Sequence, residues 1–436
     1  MTTTPDLLTQ ELMRVRHWID TGRLPDAAKA LNDLQSRHPN DARVLLVGMR
    51  LAQRAGNAEA AIKAARRALV LAPGWHVAQI ELALLLARQQ QGDEALQLAR
   101  QALAGAPTVV DVWVGAINTA LFSGNPDQTQ DWADQAVRRF PDNAGIRLFL
   151  ARHLVAQQRH RDAIPHFEYI HERAPGHEET LRGLLTCALA VSDEPAARQW
   201  ADRLLALKPD DTSAQYWHAI AHGQTPQTQP PEIVTGIFDD YAQNFDMHLV
   251  RGLQYRTPER VAQILLERHP DRRFNLLDLG CGTGLVGVYL GRIEGHIIGV
   301  DLSEKMIEQA ARHGIYSRFH QINVLDALRE TPADHYEAIA CADVLVYVGD
   351  LGPVIPNALR ILKAGGEFIF SCESASEDEA DLVMRPSQRY AHKASDVERR
   401  CRAAGFDEVV IEHLPMLRME HGQPLPGFIV TARKPA

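Results

Sequence analysis

The run Leu276-Leu277-Asp278-Leu279-Gly280-Cys281-Gly282-Thr283-Gly284 reads as an apolar strand carrying an acid, then a GxGxG turn that opens a helix. Three glycines let the backbone pass close to a ligand. Seventeen residues after Gly284 the strand Ile297-Ile298-Gly299-Val300-Asp301 ends in a second acid, placed to accept hydrogen bonds from both hydroxyls of a ribose. A lone GxGxxG is weak evidence, and a dinucleotide site is the obvious competitor. Two features oppose it. Asp278 repels a pyrophosphate and favours a ligand with a positively charged end. The third dinucleotide glycine is also out of register, since Leu285 and Val286 follow Gly284 before Gly287.

Outward from this run, strand and helix patterns alternate. A helix is expected over Pro258–Arg268, a strand over Phe274–Leu279, a helix from Gly284, a strand over His296–Asp301 and a helix from Ser303. That order implies βαβ units and a parallel sheet. At these residues the sequence resembles the class I S-adenosylmethionine-dependent methyltransferases. Asp301-Leu302-Ser303-Glu304-Lys305-Met306 is similar to the family's D-x-S-x-x-M segment, which implies that Met306 packs on adenine. Asn323-Val324 stands where an acid commonly accepts from the adenine amino group; an asparagine carbonyl accepts the same bond, and Asp326 is an alternative. Tyr336 to Tyr347, including Asp343, resembles the fourth strand and its exit loop beside the methionine moiety. Leu362-Lys363-Ala364-Gly365-Gly366 resembles the L-K-P-G-G turn with Ala364 in place of proline, and the last strands are expected at Glu408–His413 and Gly427–Arg433. The resemblance covers about residues 232–436. It implies a Rossmann-like α/β domain with a mixed seven-stranded sheet, and S-adenosylmethionine held by Asp278, Gly280, Cys281, Gly282, Gly284, Asp301, Leu302, Met306, Asn323, Val324 and Asp343.

A narrower likeness rests on Phe238-Asp239-Asp240-Tyr241-Ala242, on Phe245-Asp246-Met247-His248-Leu249 and on Tyr255-Arg256-Thr257-Pro258. With Arg389-Tyr390-Ala391-His392 these segments resemble bacterial methyltransferases often fused to tetratricopeptide repeats. They supply the catalytic candidates His248, His392, Tyr241 and Tyr347, and the substrate-binding candidates Tyr255, Arg256, Arg389 and Tyr390. A histidine titrates near neutrality and suits a base, although nineteen histidines dilute that inference. Tyr241 and Phe245, four apart, also fit the apolar face of a lid helix. Arg256 and Arg389 serve an anionic substrate or pair with internal acids such as Glu373. No [DNS]-P-P-[YF] follows the fourth strand, which disfavours nucleic-acid bases as acceptors, and no double-glutamate loop follows it, which disfavours protein arginine.

The first half repeats. Pro39, Pro73, Pro107, Pro141, Pro175 and Pro209 are each 34 residues apart, and twelve residues before each stands Ala27, Ala61, Ala95, Thr129, Ala163 or Ala197. Gly22, Gly56 and Gly124 keep the same register, as do Ala68, Ala102, Ala136, Ile170 and Leu204. These are the marks of a helix pair: small residues let helix B approach helix A, glycine turns the chain and proline ends helix B. The period resembles the tetratricopeptide repeat and gives six repeats over about residues 8–211, with a capping helix near Ser213–Ala221. The proline-rich stretch 223–231 reads as a linker. The expected organisation is therefore α + α/β, with a helical solenoid over 1–222, a linker over 223–231 and the methyltransferase-like domain over 232–436.

The remaining composition sets limits. A net charge of −9 argues against nucleic acid as a partner. No apolar run is long enough for a membrane span or a secretory signal, so the chain is expected to be cytoplasmic. Five separated cysteines give no metal or disulfide pattern. Expected partners are a small-molecule, peptide or carrier-protein substrate and a protein bound by the repeats, against the competing reading that the repeats form a homodimer or buttress the active site. The competing function is a sensor that binds S-adenosylmethionine without transferring its methyl group.

Overall fold

The computed structural model describes residues 6–241, 255–420 and 422–436. The chain divides into two compact units, Met1–Leu207 and Lys208–Ala436.

The first unit is six helix pairs: α1 Leu7–Asp20 with α2 Leu24–Arg37, α3 Ala42–Arg54 with α4 Ala58–Leu71, and α5 His76–Arg88 with α6 Gly92–Gly105. They continue as α7 Val110–Phe122 with α8 Pro126–Arg139, α9 Ala144–Ala156 with α10 His160–Arg173, and α11 Glu178–Ala190 with α12 Glu194–Leu207. Each second helix stops two residues before its repeat proline. Proline disfavours the α region for the residue before it, and His38, Ala72, Ala106, Phe140 and Ala174 all leave the helix with ψ between 57° and 75°. Ala27, Ala61, Ala95, Thr129, Ala163 and Ala197 are buried where the paired helices meet. The turn glycines Gly22, Gly56 and Gly124 take left-handed φ of 77°, 76° and 65°; at the same place in the other repeats Gln90, Gln158 and Ser192 take φ of 60°, 61° and 58°. The turn conformation thus persists where the glycine does not.

The second unit opens with α13 Thr212–Ala221, α14 Pro231–Tyr241 and α15 Thr257–Arg268. The helix expected to cap the repeats therefore lies in the second unit. Strands and helices then alternate: β1 Leu276–Leu279, α16 Leu285–Leu290, β2 Ile297–Asp301, α17 Glu304–Ala311, β3 Arg318–Gln321, α18 Val324–Glu330, β4 Tyr336–Cys341, α19 Val354–Ile361 and β5 Leu362–Ala375. Short β6 Leu382–Met384 and β7 Tyr390–Lys393, helix α20 Ala394–Ala404, and the hairpin β8 Glu408–Glu420 and β9 Gln423–Arg433 complete it.

The nine strands run in the order β3-β2-β1-β4-β5-β7-β6, with β9 pairing both β5 and β8. β1 to β5 are mutually parallel and β9 runs antiparallel to β5, so the sheet is mixed as expected, with β6 and β7 added beyond the seven. β1 is buried on both faces: Leu276 packs with Val261, Leu265 and Val286 on one side, and Leu277 and Leu279 with Leu328 and Ile355 on the other. This double cover explains its unbroken apolar run. Every parallel strand ends at the same sheet edge, where open α/β sheets bind ligands. Among the described residues no helix is long and apolar enough to cross a membrane.

Candidate functional site

At that edge the loop after β1 carries Gly280, Gly282 and Gly284 in left-handed conformations, with φ of 67°, 54° and 86°. A Cβ on Gly280 would lie 2.3 Å from the side chain of Val344, so only glycine lets the loop pass the exit of β4. At the end of β2, Asp301 accepts from the Gly282 amide at 2.8 Å and from the Ser303 amide at 2.9 Å. Two backbone donors thus fix its carboxylate at the rim. Asp278 is buried and accepts from the Tyr316 hydroxyl at 2.6 Å. Burial pushes its carboxyl up to about 7, against the downward pull of Tyr316 and with the repulsion of Asp301. Asn323 caps α18 by accepting from the Leu325 amide at 2.8 Å.

A second group of charges lies beyond β4. Asp343 takes φ of 59°, donates its amide to Ser371 Oγ at 2.7 Å, and accepts from Arg418 Nη1 with both oxygens at 3.0 Å. Arg418 also pairs with Glu373, and both side chains are at most 2% exposed. Burial opposes the Arg418 charge, but Asp343 and Glu373 outweigh it and hold the guanidinium protonated. For Glu373 burial raises the carboxyl, with Arg418 opposing. Nearby, Arg389 donates to Glu420 at 2.7 Å, and the Tyr347 ring meets the Phe238 ring edge-on at 5.4 Å. Burial raises the phenols of Tyr347 and Tyr255 above their ordinary value.

Several of these groups line a cavity of about 470 Å³. Of the residues expected to hold a cofactor, Gly280, Cys281, Gly282, Asp301, Leu302, Asn323, Val324 and Asp343 line it, as do Tyr347, Tyr255 and Arg389 from the other candidates. Asp278, Gly284 and Met306 are not in its lining; Met306 and Asp278 are buried. Arg256, Tyr390 and His392 are not in the lining either. Tyr390 donates to the Pro226 carbonyl at 2.8 Å, and His392 Nε2 donates to the Gly349 carbonyl at 2.8 Å. Burial lowers the His392 pKa, so this imidazole is a neutral internal strut in β7 rather than a group facing the cavity. Tyr241 ends α14 with its side chain outside the described residues, and His248 lies outside them altogether.

Residues 276–366 match a family model described as a methyltransferase domain, and residues 115–178 and 154–222 match tetratricopeptide repeat models. The second unit carries a methyltransferase domain. The second repeat match runs on through α13 to residue 222. Among curated relatives, a ubiquinone biosynthesis O-methyltransferase of Xylella fastidiosa is 34% identical over 24% of this chain and 44% of its own. One from Hahella chejuensis is 29% identical over 22% of this chain and 42% of its own, and one from Idiomarina loihiensis is 26% identical over 38% and 74%. The chain spans less than half the length of the first two. Among solved structures, the [4+2]-cyclase SpnF is 19% identical, with a TM-score of 0.41, over 49% of this chain and 98% of its own.

Arg418, Thr228 and Gln229 line the cavity from outside the sequence motifs. Arg418 was hidden because β8 was expected to end at His413. Its signal was available: a lone cation within the apolar run Leu414 to Met419, which must find an acid if it is buried. Thr228 and Gln229 also line the cavity, although their stretch reads as a linker. Glu373, expected to pair with Arg256 or Arg389, pairs with Arg418.

Proposed function

We propose that the chain is an S-adenosylmethionine-dependent methyltransferase whose acceptor is a small molecule, or a group displayed by a peptide or carrier protein, recruited or framed by the repeats. The observation that carries this reading is Asp301. Its carboxylate, an acceptor-only group, is fixed by two backbone amides at the cavity rim, which suits a ribose diol. Asp278 lies outside the cavity lining with its carboxyl raised to about 7, so its pull on the positively charged amino-acid end of the cofactor grows as it loses that proton. When bound, S-adenosylmethionine supplies an electrophilic methyl group on a sulfonium. The chain's own work is to orient an acceptor atom in line with that group and to keep water away. Ile237, Phe238 and Val348 provide apolar walls for this. Tyr347, a phenol already protonated at neutral pH and raised further by burial, orients an acceptor rather than removing its proton. The relatives' names favour oxygen as the methylated atom.

Isothermal titration with S-adenosylhomocysteine tests the cofactor site. Asp301→Ala is expected to weaken binding by roughly 10- to 100-fold, the loss of charge-assisted hydrogen bonds; unchanged affinity sinks the assignment. Methyl-labelled cofactor incubated with host lysate, then separated into protein and small-molecule fractions, tests transfer. Binding with no label in either fraction favours the sensor reading instead.

A further inference from the structure

The stretch that reads as a linker is tied down within the second unit. The Gln227 carbonyl accepts from the Asp350 amide at 2.7 Å, and the Gln229 amide donates to the Tyr347 carbonyl at 3.1 Å. The Pro226 carbonyl accepts from Tyr390, and Gln229 Nε2 donates to the Gln388 carbonyl at 2.6 Å. Gly349 closes the contact: a Cβ there would lie 2.8 Å from the Gln227 carbonyl oxygen and 2.7 Å from the Tyr390 ring. Gln229 and Pro230 are buried, whereas Thr228 between the anchors is exposed and lines the cavity.

Strand order says which end of the cavity this is. Asp301 ends β2 and Asn323 follows β3, on one side of the glycine loop after β1; Tyr347 follows β4, and Tyr390 starts β7, on the other. The strap is fastened to Tyr347 and Tyr390, away from the ribose-binding side. We propose that residues 226–229 form a wall of the acceptor subsite, with Thr228 a specificity-determining residue and Gln229 the positioning residue that holds it. This rests on the methyltransferase reading above. The cavity lining that Thr228 joins includes the apolar Ile237, Phe238 and Val348 beside Tyr347 and Arg389. The acceptor that fits is a mainly apolar molecule or substituent with one hydrogen-bonding group, read by the Thr228 hydroxyl.

The test uses the full chain. Thr228→Val removes the hydroxyl at constant shape, Thr228→Phe fills the space, and Gly349→Ala displaces the strap from outside the cavity. Each is titrated with S-adenosylhomocysteine, then assayed with methyl-labelled S-adenosylmethionine on whichever lysate fraction the wild type labels. Expected are an unchanged Kd for S-adenosylhomocysteine, an apparent KM for the acceptor fraction raised about fivefold by Thr228→Val with kcat little changed, and a changed product profile for Thr228→Phe and Gly349→Ala. An unchanged KM and profile would make the strap mere packing and overturn the proposal. Loss of S-adenosylhomocysteine binding in Thr228→Val would overturn it too, by assigning the strap to the cofactor. A wild type that binds no S-adenosylhomocysteine, or binds it and labels nothing, overturns the underlying reading before any variant is made.

Discussion

At the scale of single residues, two buried charges carry consequences that can be measured. Asp278 has its carboxyl raised from 3.8 to about 7. Between those values the folded chain keeps a proton that the unfolded chain has lost, so stability falls as pH rises from about 4 to 7 and then levels. Asp278→Asn should flatten that part of the curve of Tm against pH. If the cationic end of the cofactor sits by Asp278, affinity for S-adenosylhomocysteine should rise through pH 7 in the wild type and not in Asp278→Asn. Arg418 is the other case. Removing it leaves Asp343 and Glu373 without their cation, and Arg418→Met should cost about 3–5 kcal/mol in urea unfolding. Adding Glu373→Gln should recover part of that loss, a coupling read by a double-mutant cycle. Both acids were legible as residues, since Asp278 belongs to the loop motif and Glu373 is an internal acid of the fifth strand. Their partners were not, because Tyr316 and Arg418 lie 38 and 45 residues away and no local pattern joins them.

Among the elements, the repeat helices were legible because each is fixed by local signals. The prolines, the small residue at the crossing and the turn glycine act within one repeat, and the second helices begin at Leu24, Ala58, Gly92, Pro126, His160 and Glu194, each 34 residues after the last. Where Gln90, Gln158 and Ser192 replace the turn glycine, the chain still takes a left-handed φ. Such a conformation costs a residue with a side chain about 1 kcal/mol or more. Each of Gln90→Gly, Gln158→Gly and Ser192→Gly should therefore stabilise the repeats by up to about 1 kcal/mol, seen as a higher urea midpoint. The hairpin β8–β9 shows the opposite case. Pro415 interrupts the strand pattern, yet the ladder breaks only between Leu414 and Arg418 and resumes from Arg418↔Leu425 to Glu420↔Gln423. A bulge takes up the proline, which has no amide hydrogen to give the ladder. That resumption delivers Arg418 to the cavity.

For the whole molecule, the division at Leu207 predicts two unfolding transitions in calorimetry. S-adenosylhomocysteine at 100 times its Kd should stabilise the second unit by about 2.7 kcal/mol and leave the transition of the first in place; a single transition that shifts as one would contradict independent units. Any cut that removes the repeats must keep residues 226–229, whose backbone is bonded to Tyr390, Tyr347 and Asp350. By itself the sequence determined the repeat period, the βαβ order and the loop from Asp278 to Asp301, all set by spacing along the chain. Only the tertiary structure decided that His392 faces Gly349, that Arg418 joins Asp343 to Glu373, and that Thr228 and Gln229 line the cavity. Those outcomes depend on which distant groups each side chain can reach, and hydrogen bonds between residues 43 to 164 apart leave no periodic mark on the sequence.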